Sequence, residues 1–179
     1  DGVLDHYKFV FKELKRRKIF GIFFVSTAPI EKKFFLNVHK IHLLVGKIKG
    51  NILIDQLKSL IKPEMIDKKK KLLFKKRAYS TQDDHDSVKN FKQTLNYFIL
   101  NKYKTKILDI LIKKNKVDLK VRNFYLSLEH LKEMKNNGMI IGSHTFSHEV
   151  LSNLSPKEQK KEINRSISLL KKKLGKNNI

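Results

Sequence analysis

The sequence predicts an α/β protein, part of a (β/α) barrel that is incomplete in this chain, with a mostly helical stretch over residues 30–126. Three observations predict it. Residues 19–25 form a continuous apolar run rich in β-branched and aromatic side chains, the pattern of a parallel strand buried on both sides. A second apolar run, 139–141, follows Gly138 as the first follows the basic end of a helix at Gly21. The second run leads into a polar loop and then another helix. Helix, glycine, strand, polar strand end, helix is the order that an α/β barrel gives in sequence.

The first helix is expected from Leu4 to Lys18, where Tyr7, Val10, Phe11 and Leu14 recur at intervals of three and four. After the run 19–25, Ala28-Pro29 marks its end. Val38, Ile41, His42, Val45 and Ile48 predict a helix, and Ile52 to Ile61 another that Pro63 stops. His39 and His42 fall inside the first of these patterns and read as ordinary helix residues. Lys68 to Lys71 reads as a solvated face or loop. Asp83, Asp84, His85 and Asp86 stand just before the next helical pattern, where polar and acidic groups cap a helix. Phe91, Leu95, Phe98 and Ile99, then Ile107, Leu108, Leu111 and Ile112, predict two further helices. Ser127 is an N-cap for a helix with a Leu128, Leu131 and Met134 stripe, and Gly138 is its closing glycine. Ser155-Pro156-Lys157-Glu158 is a capping box with proline at the first helical position. It opens a helix whose stripe is Ile163, Ile167, Leu170 and Leu174, closed by Gly175.

At 179 residues the chain is long enough for one domain with a real core. It has no cysteine, which excludes disulfides and thiolate metal sites. No run approaches the roughly 20 apolar residues of a membrane span. The chain opens on Asp1 rather than Met, and reads as an internal piece whose first strand lies before Asp1. The formal net charge of +23 comes almost wholly from lysine, with arginine only at positions 16, 17, 77, 122 and 165. Planar bidentate reading of phosphate and bases uses arginine. The aromatic residues Phe23, Phe24 and Phe35 lie in apolar runs, not among charges as a stacking platform requires. A nucleic-acid partner is therefore disfavoured against a solvated basic surface.

The chemistry concentrates in Met139 to His148, Met-Ile-Ile-Gly-Ser-His-Thr-Phe-Ser-His. His144 and His148 are four residues apart at the end of a buried strand, where α/β proteins build their sites. On a helical turn or a loop of similar pitch, side chains at that spacing share a face and can converge on one ion. Two histidines so spaced also occur on surface helices without a ligand. The flanks add to the spacing. His144-Thr145-Phe146-Ser147-His148 matches His-(Ser/Thr)-x-x-His, and Asp1-Gly2, followed by a helix and Gly21 to Thr27, matches the end of Thr-Phe-Asp-Asp-Gly with its helix and next strand. In these two motifs the chain resembles the polysaccharide deacetylases, the NodB-homology enzymes of carbohydrate esterase family 4.

The resemblance implies a distorted NodB-like barrel, of which residues 1–179 are a partial domain and 30–126 a helical insertion. It implies one divalent metal, zinc by preference, held by Asp1, His144 and His148, with Thr145 bracing the loop. The implied activity is removal of N-acetyl groups from a glycan or sugar precursor, a non-peptide C–N hydrolysis in which the ion activates water and polarises the carbonyl. The family's base corresponds to the residue just before Asp1, and its acid to a histidine beyond Ile179. No catalytic acid or base is thus assigned within the chain, which alone is expected to be inactive and, with strand edges unpaired, prone to aggregate. Two alternatives stand beside this: a related metal amidase acting on a small cyclic amide or imide, and a basic binding module with an incidental histidine pair. Compartment and oligomeric state are open.

Overall fold

The computed structural model describes residues 1–75, 78–79 and 81–175; Arg77 and Ile179, named above, lie outside them. In chain order, a π-helical segment, His6–Phe11, runs into α1 (Lys12–Arg16), then β1 (Ile22–Val25) and α2 (Ala28–Lys32). There follow α3 (Asn37–Lys47), α4 (Gly50–Leu60), a 3₁₀ turn at Pro63–Met65, α5 (Lys68–Phe74) and α6 (Asp86–Gln93), which continues as a π-helical turn, Thr94–Phe98. The chain goes on through α7 (Asn101–Lys114), α8 (Val121–Phe124), α9 (Leu128–Asn136), β2 (Ile140–Ser143), a 3₁₀ turn at Leu151–Asn153 and α10 (Pro156–Leu174). These residues form two compact units, Asp1–Leu36 with Leu119–Ile179, and Asn37–Asp118.

In the first unit β1 and β2 pair in parallel, with Ile22 opposite Ile140 and Val25 opposite Ser143. The connection between the two parallel strands is helical, as in an α/β protein. The described residues are mostly helical, however, and hold two strands and no closed barrel. One face of the sheet carries the core. Phe23, Val25 and Ile141 pack there with Leu4, Phe11, Leu131, Met134, Leu170 and Leu174, from the first helical segment, α9 and α10.

The other face corrects the expectation of a strand buried on both sides. Ile22 and Phe24 are 52% and 54% exposed, and Ile19 and Phe20 precede the strand in exposed positions. Helices cover this sheet on one side only, so alternation along β1 decides burial. Phe24 folds its ring across Gly142 on the facing strand, where a Cβ would stand 2.5 Å from the ring. Val10 is corrected too. The wider π pitch of His6–Phe11 turns it outward while Phe11 and Leu14 reach the core. Within α10, Ile163 is 38% exposed and Ser166 is fully buried in the core-facing row with Leu170 and Leu174.

The caps follow the sequence. Ser127 and Ser155 close capping boxes with His130 and Glu158, and Gly138 and Gly175 take positive φ at the helix ends. In the second unit the apolar stripes Ile41, Leu44, Leu53, Leu57, Phe91, Leu95, Phe98, Ile107, Leu108 and Leu111 are buried. His39 is buried and His42 exposed. His85 accepts the Ser87 N–H at 3.3 Å as the N-cap of α6, and Asp84 pairs with Lys92 at 2.6 Å. The polar cluster thus caps a helix, and Lys68 to Lys71 are helical.

Leu170→Ala is expected to cost about 2–5 kcal/mol by cavity formation, and Ile163→Ala only about 0.5 kcal/mol. Chemical denaturation of the two variants checks this; equal losses would contradict the burial of this helix.

Candidate metal centre

Asp1, His144 and His148 come together at the carboxyl ends of the two parallel strands. Asp1 is fixed by its backbone: its nitrogen donates to the Phe24 carbonyl at 2.9 Å and its carbonyl accepts from the Ser26 N–H at 3.5 Å. His144 directly follows β2. Its N–H donates to the Val25 carbonyl at 2.9 Å, and the Ser26 hydroxyl donates to its carbonyl at 2.8 Å.

The segment from His144 to His148 is a loop, not a helical turn. Thr145 and His148 sit at φ of 63° and 57°, in the left-handed region that a β-branched residue rarely takes. Such strain persists only where surroundings fix it, and here they do. The Thr145 hydroxyl accepts from the His148 N–H at 3.2 Å, while the carbonyls of Thr145 and Phe146 accept from Thr27 and Ala28 at 3.3 and 2.8 Å. Glu162 of α10 accepts from the Ser147 N–H at 2.7 Å and from its hydroxyl at 2.9 Å. Buried Phe146 lies under the Arg165 guanidinium at 3.7 Å, and Arg165 in turn pairs with Glu31 at 2.6 Å. Ser143 and Ser166 bond at 2.8 Å and tie the strand end to α10.

Within this frame Nε2 of His144 and Nε2 of His148 each lie 3.1 Å from Oδ1 of Asp1. The two rings meet nearly edge to face at 4.6 Å, and the three ligand-type atoms all fall within 4.8 Å of one another. An ion bonded tetrahedrally at about 2.0–2.1 Å holds its donors roughly 3.3 Å apart, so the spacing suits a small divalent cation. Burial, more than any neighbouring charge, lowers both histidine pKa values; for His144 the nearby His148 adds to it. Although a carboxylate touches both rings, burial favours the neutral imidazole, the form that ligates metal. All three residues keep part of their side chains exposed.

A cleft of about 390 Å³ opens beside Asp1 and His144, walled by His6, Val10, Ile22 and Phe24. His6, legible in sequence only as a helix residue, has its Nδ1 buried with no hydrogen-bond partner among the described residues. A larger hollow of about 640 Å³, lined by Ile30, Arg122, Tyr125, Leu128 and Lys173 among others, includes none of the three candidate ligands; donor chemistry rather than volume marks the site. Sequence reasoning missed Ser26, Glu162, Ser166 and Arg165, whose roles depend on partners far off in the chain. An acid in the lysine-rich helix α10 was the only signal for Glu162.

The sequence model of the polysaccharide deacetylase family matches residues 70–179. The chain belongs to that family, whose members are hydrolases acting on C–N bonds of acetylated carbohydrates. The match includes His144, Thr145 and His148. No curated protein and no solved structure matches the chain.

The histidine pKa shifts set a pH dependence. A folded pKa below the usual 6.5 means that the unfolded chain takes up protons first as the pH falls. The stability is thus fully present above about 6.5 and lost as pH falls from there through the folded values. Thermal unfolding of the chelator-treated chain is expected to show a Tm that declines below that pH, with a shallower decline in a His144→Ala, His148→Ala variant; equal slopes would refute the assignment.

Proposed function

We propose that the chain carries the metal centre of a deacetylase that removes N-acetyl groups from a glycan or a sugar precursor. Asp1, His144 and His148 hold one divalent ion, zinc by preference, and Thr145 braces the loop. The observation that carries this reading is the meeting of two imidazoles on one carboxylate oxygen at 3.1 Å. Bound there, the ion supplies Lewis acidity toward the acetamide carbonyl. The residues of the chain do the rest. A carboxylate and two neutral imidazoles leave a dication a net positive charge, and three protein ligands leave an open position for substrate. The partial exposure of the three side chains gives the sugar access. Glu162, Ser147 and the bonds from Thr27 and Ala28 keep the ligands preorganised.

The two parallel strands are read as part of a (β/α) barrel, and residues 30–126, which include the helical unit Asn37–Asp118, as an insertion in it. Among the described residues no helix is long and apolar enough to cross a membrane.

Elemental analysis after loading at neutral pH is expected to find about one zinc-type ion per chain, lost in His144→Ala and in His148→Ala. A parent chain that takes up no ion would refute the metal centre. With no acid or base assigned within it, the loaded chain alone is expected to bind the ion and release no acetate from N-acetylglucosamine oligomers; acetate release by the loaded chain would refute that expectation. Glu162→Gln is expected to weaken metal affinity about tenfold by loosening the loop, measured by competition with a chromophoric chelator, with helix content unchanged.

A further inference from the structure

The lysine run of α5 is not used by the enzymatic reading. The helix is seated firmly. Asp67 accepts the Lys70 N–H at 3.0 Å as N-cap, the Asp67 N–H donates to the Phe98 carbonyl at 2.8 Å, and the Phe74 ring meets Tyr97 at 4.7 Å. Lys70 and Phe74, four residues apart, form its inner row. The outer arc is Lys68, Lys69, Lys71, Leu72, Leu73 and Lys75, all exposed, with no acidic side chain among them. Leu72 is 83% and Leu73 55% exposed, and Leu72 is the most exposed large apolar side chain among the described residues.

Two features of this arc bear on its partner. Clustered lysines favour an anionic surface, since each basic residue near one adds roughly a fivefold gain in binding. Adjacent leucines held in water beside those lysines favour a surface with an apolar layer beneath its charge. A nucleic acid offers the first and not the second. The one aromatic ring of the helix, Phe74, packs inward against Tyr97, so no stacking platform faces out.

We propose that α5 docks the chain on an anionic lipid surface, its lysines against the headgroups and Leu72 and Leu73 inserted at the headgroup–acyl boundary. This adds an interfacial location to a chain with no membrane-crossing helix among its described residues. It rests on a different unit from the candidate metal centre and stands without it.

The test is co-sedimentation of the full chain with vesicles of phosphatidylcholine alone or with phosphatidylglycerol added. Binding is expected only with the anionic lipid, and to weaken with salt. Leu72→Ser with Leu73→Ser, at unchanged charge, is expected to weaken it about tenfold. Lys68→Gln, Lys69→Gln and Lys71→Gln together are expected to weaken it by roughly fivefold per lysine. The charge-matched control is Lys157→Gln, Lys160→Gln and Lys161→Gln on α10, which should have a smaller effect. Circular dichroism checks that the exposed substitutions leave the fold intact. Unchanged binding in the double leucine variant would overturn the proposal. So would an equal loss in the α10 control, which would make the binding a general effect of charge, or binding to duplex DNA and not to vesicles, which would make α5 a nucleic-acid contact.

Discussion

The parallel pairing of β1 with β2 is the constraint on which the candidate site depends. Parallel strands end on the same side, and the register that sets Val25 against Ser143 leaves both carboxyl ends level. His144 then emerges beside Ser26, and the backbone of Asp1 bonds to the end of β1 at Phe24 and Ser26. An antiparallel pair would send these ends apart. Residues separated by 147 positions in sequence thus have side chains 3.1 Å apart. A slip of one residue would turn His144 to the opposite face of the sheet, so the apolar side of β1 also fixes the aim of a polar ligand.

The pairing brings the strand ends together; the loop after β2 has to be held by other means. With two non-glycine residues at positive φ within four positions, its backbone is one the chain would leave if free. Glu162 anchors it from below, Arg165 covers Phe146, and backbone donors at Thr27 and Ala28 hold its carbonyls. The strain and the bracing suit a site whose ligands must stand ready before anything binds. Burial contributes by favouring the neutral form of both imidazoles while their side chains stay partly exposed.

What the sequence made legible was local. Ser127, Ser155, Gly138 and Gly175 act within a few residues of themselves, so the caps and helix ends could be read directly. The histidine pair was legible because its spacing and its place at a strand end are both short-range. The single covered face of β1 was not, because an apolar run reads alike whether one side or both are packed. Nor was the outward turn of Val10, which follows from a π-helical pitch that no local pattern announced. In α10, Ser166 takes a core position because its hydroxyl meets Ser143, a partner that a stripe of apolar residues cannot reveal. Glu162 was illegible for the same reason.

Charge is the last constraint, and it bears on each unit separately. The chain has 40 basic and only 17 acidic residues, and many of the described acids have structural work. Glu158 closes a capping box, Asp67 caps α5, Glu31 and Glu162 support the histidine loop, Asp84 holds Lys92, and Asp1 joins the candidate ligands. Acids occupied at fixed points in the fold leave the surface field to lysine. At short range the carboxylate of Asp1 offsets that field where a cation is proposed to sit; at long range the field draws in anions. Lysine in place of arginine suits this, because a compact, strongly hydrated charge attracts without locking onto one geometry.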